Sequence, residues 1–408
     1  MILNKKLKKE YIIVLVAALG YFVDAYDLIL FVVIRKSSLI DLGIETELIS
    51  KIGLSLFNVQ MVGTLVGGVF FGIMGDKRGR LSVLFGSILV YSIANILNAG
   101  VSSLWQYYVL RFIAGFGLAG ELGAGITLVS EVMPQKYRGY GTAIVAASGA
   151  FGAFTAGLLG DFFYWRWAFL IGGCMGLLLL LLRMNTFESG IYKNAQKMSV
   201  KSGDFMSLFL NRNKFRRYFS SILISLPVFF VITILMQLAP EIATSLNISK
   251  DVKAGTAVMF VYLGLTLGDL SSGLVSQWIK NRKITIRYFL FLGLILVFWH
   301  LNLGEVSLIT LHISYILLGF GAGYWVNLIT LAAEQFGTNL RATVATTLPN
   351  FARAAVIPIS FMYQFLNEGL NLAVLSSALF TGLFCYLLAF IATFFIEDTF
   401  NNNLDFTE

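Results

Sequence analysis

The chain has 408 residues, 57% of them hydrophobic, with 39 glycines and only 13% charged side chains, and its mean hydropathy is +0.79. A soluble domain is roughly 45–50% apolar and about 25% charged, so the composition excludes one. The apolar residues run in long unbroken stretches, which excludes a porin-like barrel of alternating strands; at about 20 residues per crossing, the length accommodates about a dozen membrane helices.

The first stretch, Tyr11 to Ile34, follows a basic cluster, Lys5, Lys6, Lys8 and Lys9. It is too long for a signal peptide and lacks a small-residue cleavage site, so it is read as the first span. Hydropathy places the others near 52–74, 81–99, 105–131, 140–160 and 165–182, then, beyond a polar stretch at 183–217, near 218–240, 254–279, 286–303, 307–333, 343–364 and 372–396. The net charge of +8 is carried by residues that flank these runs. Lys and Arg concentrate in cytoplasmic loops, so the bias predicts both termini in the cytoplasm, with Arg35, Lys36, Lys51, Arg166, Lys250 and Lys253 outside. The basic excess is therefore a topology signal, and no nucleic-acid partner is expected. Cys174 and Cys385 are far apart, and His300 and His312 form no cluster, so neither a disulfide framework nor a metal site is readable.

Gly115-Phe116-Gly117 recurs 204 residues later as Gly319-Phe320-Gly321, and Glu131 with Arg138 recurs 203 residues later as Glu334 with Arg341. Two six-helix halves follow, 1–182 and 218–408, joined by a cytoplasmic linker at 183–217. Parallel repeats with a site at their interface are a common plan of secondary transporters.

The turn after the second span reads Gly72-Ile73-Met74-Gly75-Asp76-Lys77-Arg78-Gly79-Arg80. It resembles the loop 2–3 signature of the major facilitator superfamily, with Leu81 where a second basic residue is usual. The equivalent loop of the second half, Lys280-Asn281-Arg282-Lys283, keeps the charge without the glycines and the aspartate. Asp24-Ala25-Tyr26-Asp27 is similar to a first-span motif of phosphate:proton and aromatic-acid:proton symporters. The stretch Arg111 to Glu121, with Ser130-Glu131-Val132-Met133-Pro134, resembles the fourth span of phosphate, sugar and organic-acid porters. Ala119-Gly120-Glu121-Leu122-Gly123 departs from the phosphate-porter version. The resemblance implies an all-α polytopic fold of twelve transmembrane helices, monomeric in a bacterial cytoplasmic membrane. It also implies a gating role for Gly72, Asp76, Lys77, Gly79 and Arg80, and Glu131, Arg138, Glu334 and Arg341 at span ends join them.

An ionisable group at membrane depth costs at least about 2.5 kcal/mol and is a functional candidate by default. Asp24 and Asp27, three residues apart, share one helix face about 4.5 Å apart along the axis, with Tyr21 beside them. Counting about 1.5 Å per residue puts Asp27 and Arg111 at similar depth, which predicts a pair whose making and breaking would move a proton. A static pair orienting two helices satisfies the same pattern. Glu121 sits near mid-span and is a proton or substrate site. In the second half the acids are absent: Val228 and Val231 stand opposite Asp24 and Asp27. Tyr324, Trp325 and Asn327 are then substrate-contact candidates, with packing the alternative for the aromatics. Arg353, near the centre of span 11, needs an anion; the options are an anionic substrate or a carboxylate such as Asp269 of span 8.

Gly115-Phe116-Gly117-Leu118-Ala119-Gly120 fits a dinucleotide fingerprint, but no strand precedes it, and close helix contact explains it better. No catalytic cluster and no ATPase motif is visible, so neither an enzyme nor a primary pump is expected. The reading is a secondary transporter without cofactors, energised by the proton gradient. Its partners are protons, a small polar or anionic organic substrate taken up by alternating access, and the lipid bilayer. A porter of sugars or other neutral solutes, or an exporter, is the alternative.

Overall fold

The structure is a computed structural model that describes residues 2–78, 80–120, 138–187, 206–248 and 252–400; the side chains of 2–13 and of several residues within 72–82, 138–146, 185–207 and 338–346 lie outside that description. The first group of helices is α1 (Ile2–Asp41), α2 (Ile49–Arg78), α3 (Arg80–Asn98), α4 (Leu104–Leu118), α5 (Arg138–Phe162) and α6 (Trp165–Phe187). After the short α7 (Ser207–Leu210) come α8 (Arg212–Phe230), continued by a π-helical turn at Val231–Met236, α9 (Ala239–Ser245), α10 (Ala254–Ile279) and α11 (Arg282–Leu301). Then follow α12 (Leu308–Ala322), α13 (Trp325–Glu334), α14 (Thr338–Ala354), α15 (Val356–Gln364) and α16 (Val374–Ala392). The architecture is all-α and polytopic, the twelve-helix fold that the hydropathy predicts. Eight of the described helical segments are long and apolar enough to cross a bilayer.

Local chemistry sets the helix starts. Ser103, Ser307, Asn211 and Asn281 each accept a hydrogen bond from a backbone N–H of the first turn, satisfying donors that a helix start leaves unpaired. Lys280 ends α10 in the left-handed conformation, with φ of 55°, so the chain turns sharply into α11.

Glycines set how closely the helices approach. A Cβ on Gly63 or Gly67 of α2 would run into the carbonyls of Phe112 and Phe116 of α4, and one on Gly115 into that of Gln60. The second group repeats the device: Gly264 and Gly268 of α10 face the carbonyls of Ile316 and Phe320 of α12, and Gly319 faces that of Val261. With no hydrophobic drive between helices in lipid, backbone-to-backbone approach supplies the packing energy. The repeated Gly-Phe-Gly is the trace of this contact.

Three spans differ from the hydropathy reading. The first runs on to Asp41, past Arg35, which is buried inside the protein rather than flanking the span. Span 10 is interrupted at Gly323 and Tyr324, whose ψ angles of 54° and 13° leave the helical range. Span 11 is interrupted at Ala355: Pro358 lacks the N–H that would bond the Ala354 carbonyl, and its ring crowds that oxygen. Pro349 lies inside α14 without a break, and Pro227 lies in α8, four residues before the π-helical turn.

Replacing Gly319 by Val should destabilise the bundle by about 1–3 kcal/mol through overpacking. Gly273→Ala, where an added Cβ meets nothing within 4 Å, should not lower the melting temperature. Thermal unfolding in detergent compares the two, and equal melting temperatures would contradict the role given to the close contact.

Candidate functional site

The two helix groups meet along α5 with α10, α2 with α14 and α15, and α1 with α10. At the middle of this seam, Arg353 of α14 donates from Nη2 to Oδ2 of Asp24 in α1 at 2.8 Å. Both side chains are buried, and among the described residues Asp24 Oδ1 and Arg353 Nη1 have no further partner. Tyr21 of α1 and Tyr262 of α10 are close enough to interact electrostatically with both. One turn before Arg353, Asn350 donates to the Ala119 carbonyl of the first group at 3.0 Å. A charge pair so far from water holds only while both members stay in place.

The anion that Arg353 finds in the protein is thus Asp24, not the Asp269 considered from the polar stripes. Asp269 of α10 instead accepts the backbone N–H of Val326 at 3.1 Å, at the start of α13. An acid is favourable at a helix N-terminus, where N–H groups are unpaired and the dipole is positive. The stripe argument read the faces correctly but could not say which neighbouring helix would face them.

The predicted contact between Asp27 and Arg111 also takes a different form. Both are fully buried, but they make no ion pair. Arg111 donates to Asn95 Oδ1 of α3 at 2.8 Å, with its guanidinium carbon 4.6 Å from the Phe169 ring centroid and 5.9 Å from that of Phe31. Among the described residues Asp27 makes no close, well-aligned hydrogen bond, but the Asn95 side chain stands beside it as a hydrogen-bonding neighbour and Arg111 is within electrostatic reach. Depth counting supplied the height of the two groups, and the third helix that stands beside them was invisible to it.

Tyr324 is fully buried and donates to the Ile224 carbonyl at 2.9 Å, so its hydroxyl ties α13 to α8. Trp325 meets Phe229 edge to face at 5.5 Å. Asn327 is 4% exposed, and neither atom of its amide has a partner among the described residues. Tyr21 is half-buried, its ring against Gly149 of α5. Glu334 receives two bonds from Arg282, at 3.0 and 3.1 Å, and one from Thr399 at 2.6 Å, so the basic loop after α10 engages the end of α13. Gly79, Glu121 and Glu131 lie outside the described residues, as do the side-chain positions of Gly72, Asp76, Lys77, Arg80, Arg138 and Arg341.

One feature went unread in the sequence. At one end of the bundle, Arg35 crosses the face of Gly53 and bonds Glu241 Oε1 at 2.5 Å, the Gln237 carbonyl at 2.9 Å and the Ile49 carbonyl at 3.3 Å. Ser50 also donates to Glu241, at 3.0 Å. Lys51 pairs with Glu368 at 2.6 Å, and Asp161 accepts from Thr256 and from the Gly255 N–H at 2.9 and 3.2 Å. A cavity of about 260 Å³, lined by Lys36, Ser50, Glu241 and neighbours, lies at this end and not at the central pair. All of these bonds except that to the Ile49 carbonyl join the first helix group to the second, so this mouth of the seam is held together by side chains of both groups. The only sequence signal was a charge at the end of an apolar run, which reads equally as a flanking residue.

Two helical groups joined by a buried ion pair and latched at one mouth define a membrane transport protein. Residues 17–359 match the family model described as Major Facilitator Superfamily, and the chain belongs to that superfamily. It is similar to a Haemophilus influenzae protein named for metabolite transport, 27% identical over 83% of this chain and 84% of that one. It is also similar to a gentisate transporter of Corynebacterium glutamicum, 25% identical over 78% and 73% of the two chains. Its fold is that of a D-xylose-proton symporter crystal structure, with a TM-score of 0.69 over 95% of this chain and 98% of that chain at 16% identity. The protein is accordingly a multi-pass transporter of a small molecule and not an enzyme.

The latch has a defined pH response. Burial pushes the Glu241 carboxyl up, but the Arg35 guanidinium beside it more than offsets this and holds it below the usual carboxylate range. A carboxylate depressed in the folded state contributes stability that is full above its unfolded value and is lost as pH falls through the folded one. Thermal stability of the wild type should therefore drop on acidification below about pH 4 by more than that of Glu241→Gln. Parallel pH profiles of the two proteins would contradict the latch.

Proposed function

We propose that this transporter is a proton-coupled symporter that takes up a small organic anion by alternating access. In this reading the segments 1–182 and 218–408 rock as two bodies about the seam, linked by 183–217, in a bacterial cytoplasmic membrane with both termini inside. The observation that carries the proposal is the Arg353–Asp24 pair, which lies between the two bodies with one guanidinium nitrogen and one carboxylate oxygen unpartnered.

A substrate carboxylate competes with Asp24 for the guanidinium, since both present the same oxygen geometry. Arg353 taken by a substrate leaves Asp24 as an uncompensated buried charge, an expensive state that uptake of a proton removes. Substrate and proton are then bound together, as symport requires, and neither binds as well alone. Asp27, buried near Arg111 and Asn95, serves as a second proton site, and Glu121 of the fourth span has the same role or contacts substrate. Tyr21 and Asn327 bound the substrate space, with Trp325 on its wall. The gentisate named for the Corynebacterium relative is a carboxylate, which supports an acid over a sugar.

Arg353→Gln should weaken binding of 2,5-dihydroxybenzoate by at least about tenfold. Breaking one side of a buried pair costs about 3–5 kcal/mol of stability, so the double variant Asp24→Asn with Arg353→Gln should fold better than Arg353→Gln alone and still fail to bind. Isothermal titration measures the binding, and a double variant with wild-type affinity would refute the assignment. Asp27→Asn should abolish pH-driven accumulation in vesicles while substrate exchange persists; accumulation at the wild-type level would refute proton coupling through Asp27.

A further inference from the structure

We infer that the groove between α1 and α5 binds an anionic phospholipid, with an acyl chain in the groove and the headgroup against the basic N-terminal ends of the two helices. Leu15, Leu19 and Phe22 of α1 with Ile144, Ala147 and Phe151 of α5 line a cavity of about 590 Å³. Two small residues make it concave: Ala18, packed with buried Val14, Ala17 and Val145, and Ala147. Phe22 and Phe151, with ring centroids 5.8 Å apart, close its deeper end. Its one side-chain hydroxyl, on Ser148, already donates to the Ile144 carbonyl at 2.9 Å, so the lining asks for an apolar occupant. The groove is separate from the central pair. Leu15 lies nine residues before Asp24, on the opposite side of α1, and is 58% exposed, as Phe151 is 62% exposed. Apolar side chains open to the outside at membrane depth meet acyl chains. From Leu15 to Phe22 the groove runs about 10 Å along the helix, within the roughly 15 Å of hydrocarbon in one leaflet.

Charge just beyond the groove selects the headgroup. Lys5, Lys6, Lys8 and Lys9 stand in the first turns of α1. Lys8 is seven residues before Leu15, two turns back along the same helix face, and Lys5 is one turn further. Glu10, the only acid before Asp24, falls on the opposite side of the helix. The second wall is built alike: α5 starts at Arg138, six residues before Ile144, and Lys136 precedes it. Both helices therefore carry basic residues about 9–11 Å from the open end of the groove. In the orientation proposed above this is the cytoplasmic end, and clusters of Lys and Arg at that end of a membrane helix attract anionic lipid. A phospholipid satisfies both parts at once, because its phosphate lies at the interface while its chain descends beside the helices.

The test is native mass spectrometry of the purified full-length protein with equal amounts of phosphatidylglycerol and phosphatidylcholine of matched chains. Wild type should retain phosphatidylglycerol with a preference of at least about tenfold, the effect of about two lysine contacts. The triple variant Lys5→Gln, Lys8→Gln, Lys9→Gln should bring the preference near unity. Ala147→Trp fills the groove from an exposed position and should lower phosphatidylglycerol retention several-fold with every lysine in place; Leu15→Trp repeats this from the other wall if that variant does not fold. Equal retention of the two lipids by the wild type overturns the proposal. Preference that persists in the triple variant, or retention unchanged by filling the groove, does so as well. A dimer that Ala147→Trp disperses would put a second copy of the chain in the groove and would also overturn it.

Discussion

A single ion pair, Asp24 to Arg353 at 2.8 Å, ties the first helix of the protein to the fourteenth at the seam between its two helix groups. Charges buried this deeply are stable only as a pair, and a buried pair is itself a weak source of net stability compared with apolar packing. Such an arrangement is therefore better suited to a contact that is made and broken than to a permanent fastening. Around it lie the polar side chains of Tyr21, Tyr262 and Asn350, whereas the interiors of the two groups are held by apolar and glycine contacts.

Within each group, glycine-to-carbonyl approach locks α2 to α4 and α10 to α12 over several turns, a shape-dependent contact that tolerates no sliding. Between groups, Gly157 of α5 and Gly255 of α10 make a contact of the same kind, and side-chain hydrogen bonds and ion pairs add to it, from Arg35–Glu241 and Lys51–Glu368 at one mouth to Arg353–Asp24. These break one at a time with modest rearrangement, because each freed group at the mouth can be taken up by water. The central pair, buried away from water, has no such recourse.

Much of this was readable from residue order. The apolar runs located the membrane helices, the Gly-Phe-Gly repeat pointed to a duplicated helix contact, and Asp24, Asp27, Arg111 and Arg353 stood out because a charge in an apolar run is costly and needs a partner, whether structural or functional. The pairing was not readable. Asp24 meets Arg353, more than three hundred residues away, while Arg111 turns to Asn95 and Asp269 to a backbone N–H. Helical periodicity gives depth and face within one helix, and says nothing of which other helix that face meets. Arg35 escaped for a related reason: at the end of an apolar run, a charge in water and a charge buried against a partner from the other group look alike.

Residue order alone therefore determined the class of the protein, the number of its spans, its superfamily signature in Gly72 to Arg80, and the short roster of charges inside apolar runs. All of these follow from one-dimensional facts, namely the cost of placing polar groups in lipid and the period of a helix. Only the tertiary structure decided which charges neutralise each other, where spans 10 and 11 break, and which mouth is latched. Those outcomes depend on the azimuth at which one helix faces another across the seam. Small glycine contacts within each group set that angle, and no local stretch of sequence encodes it.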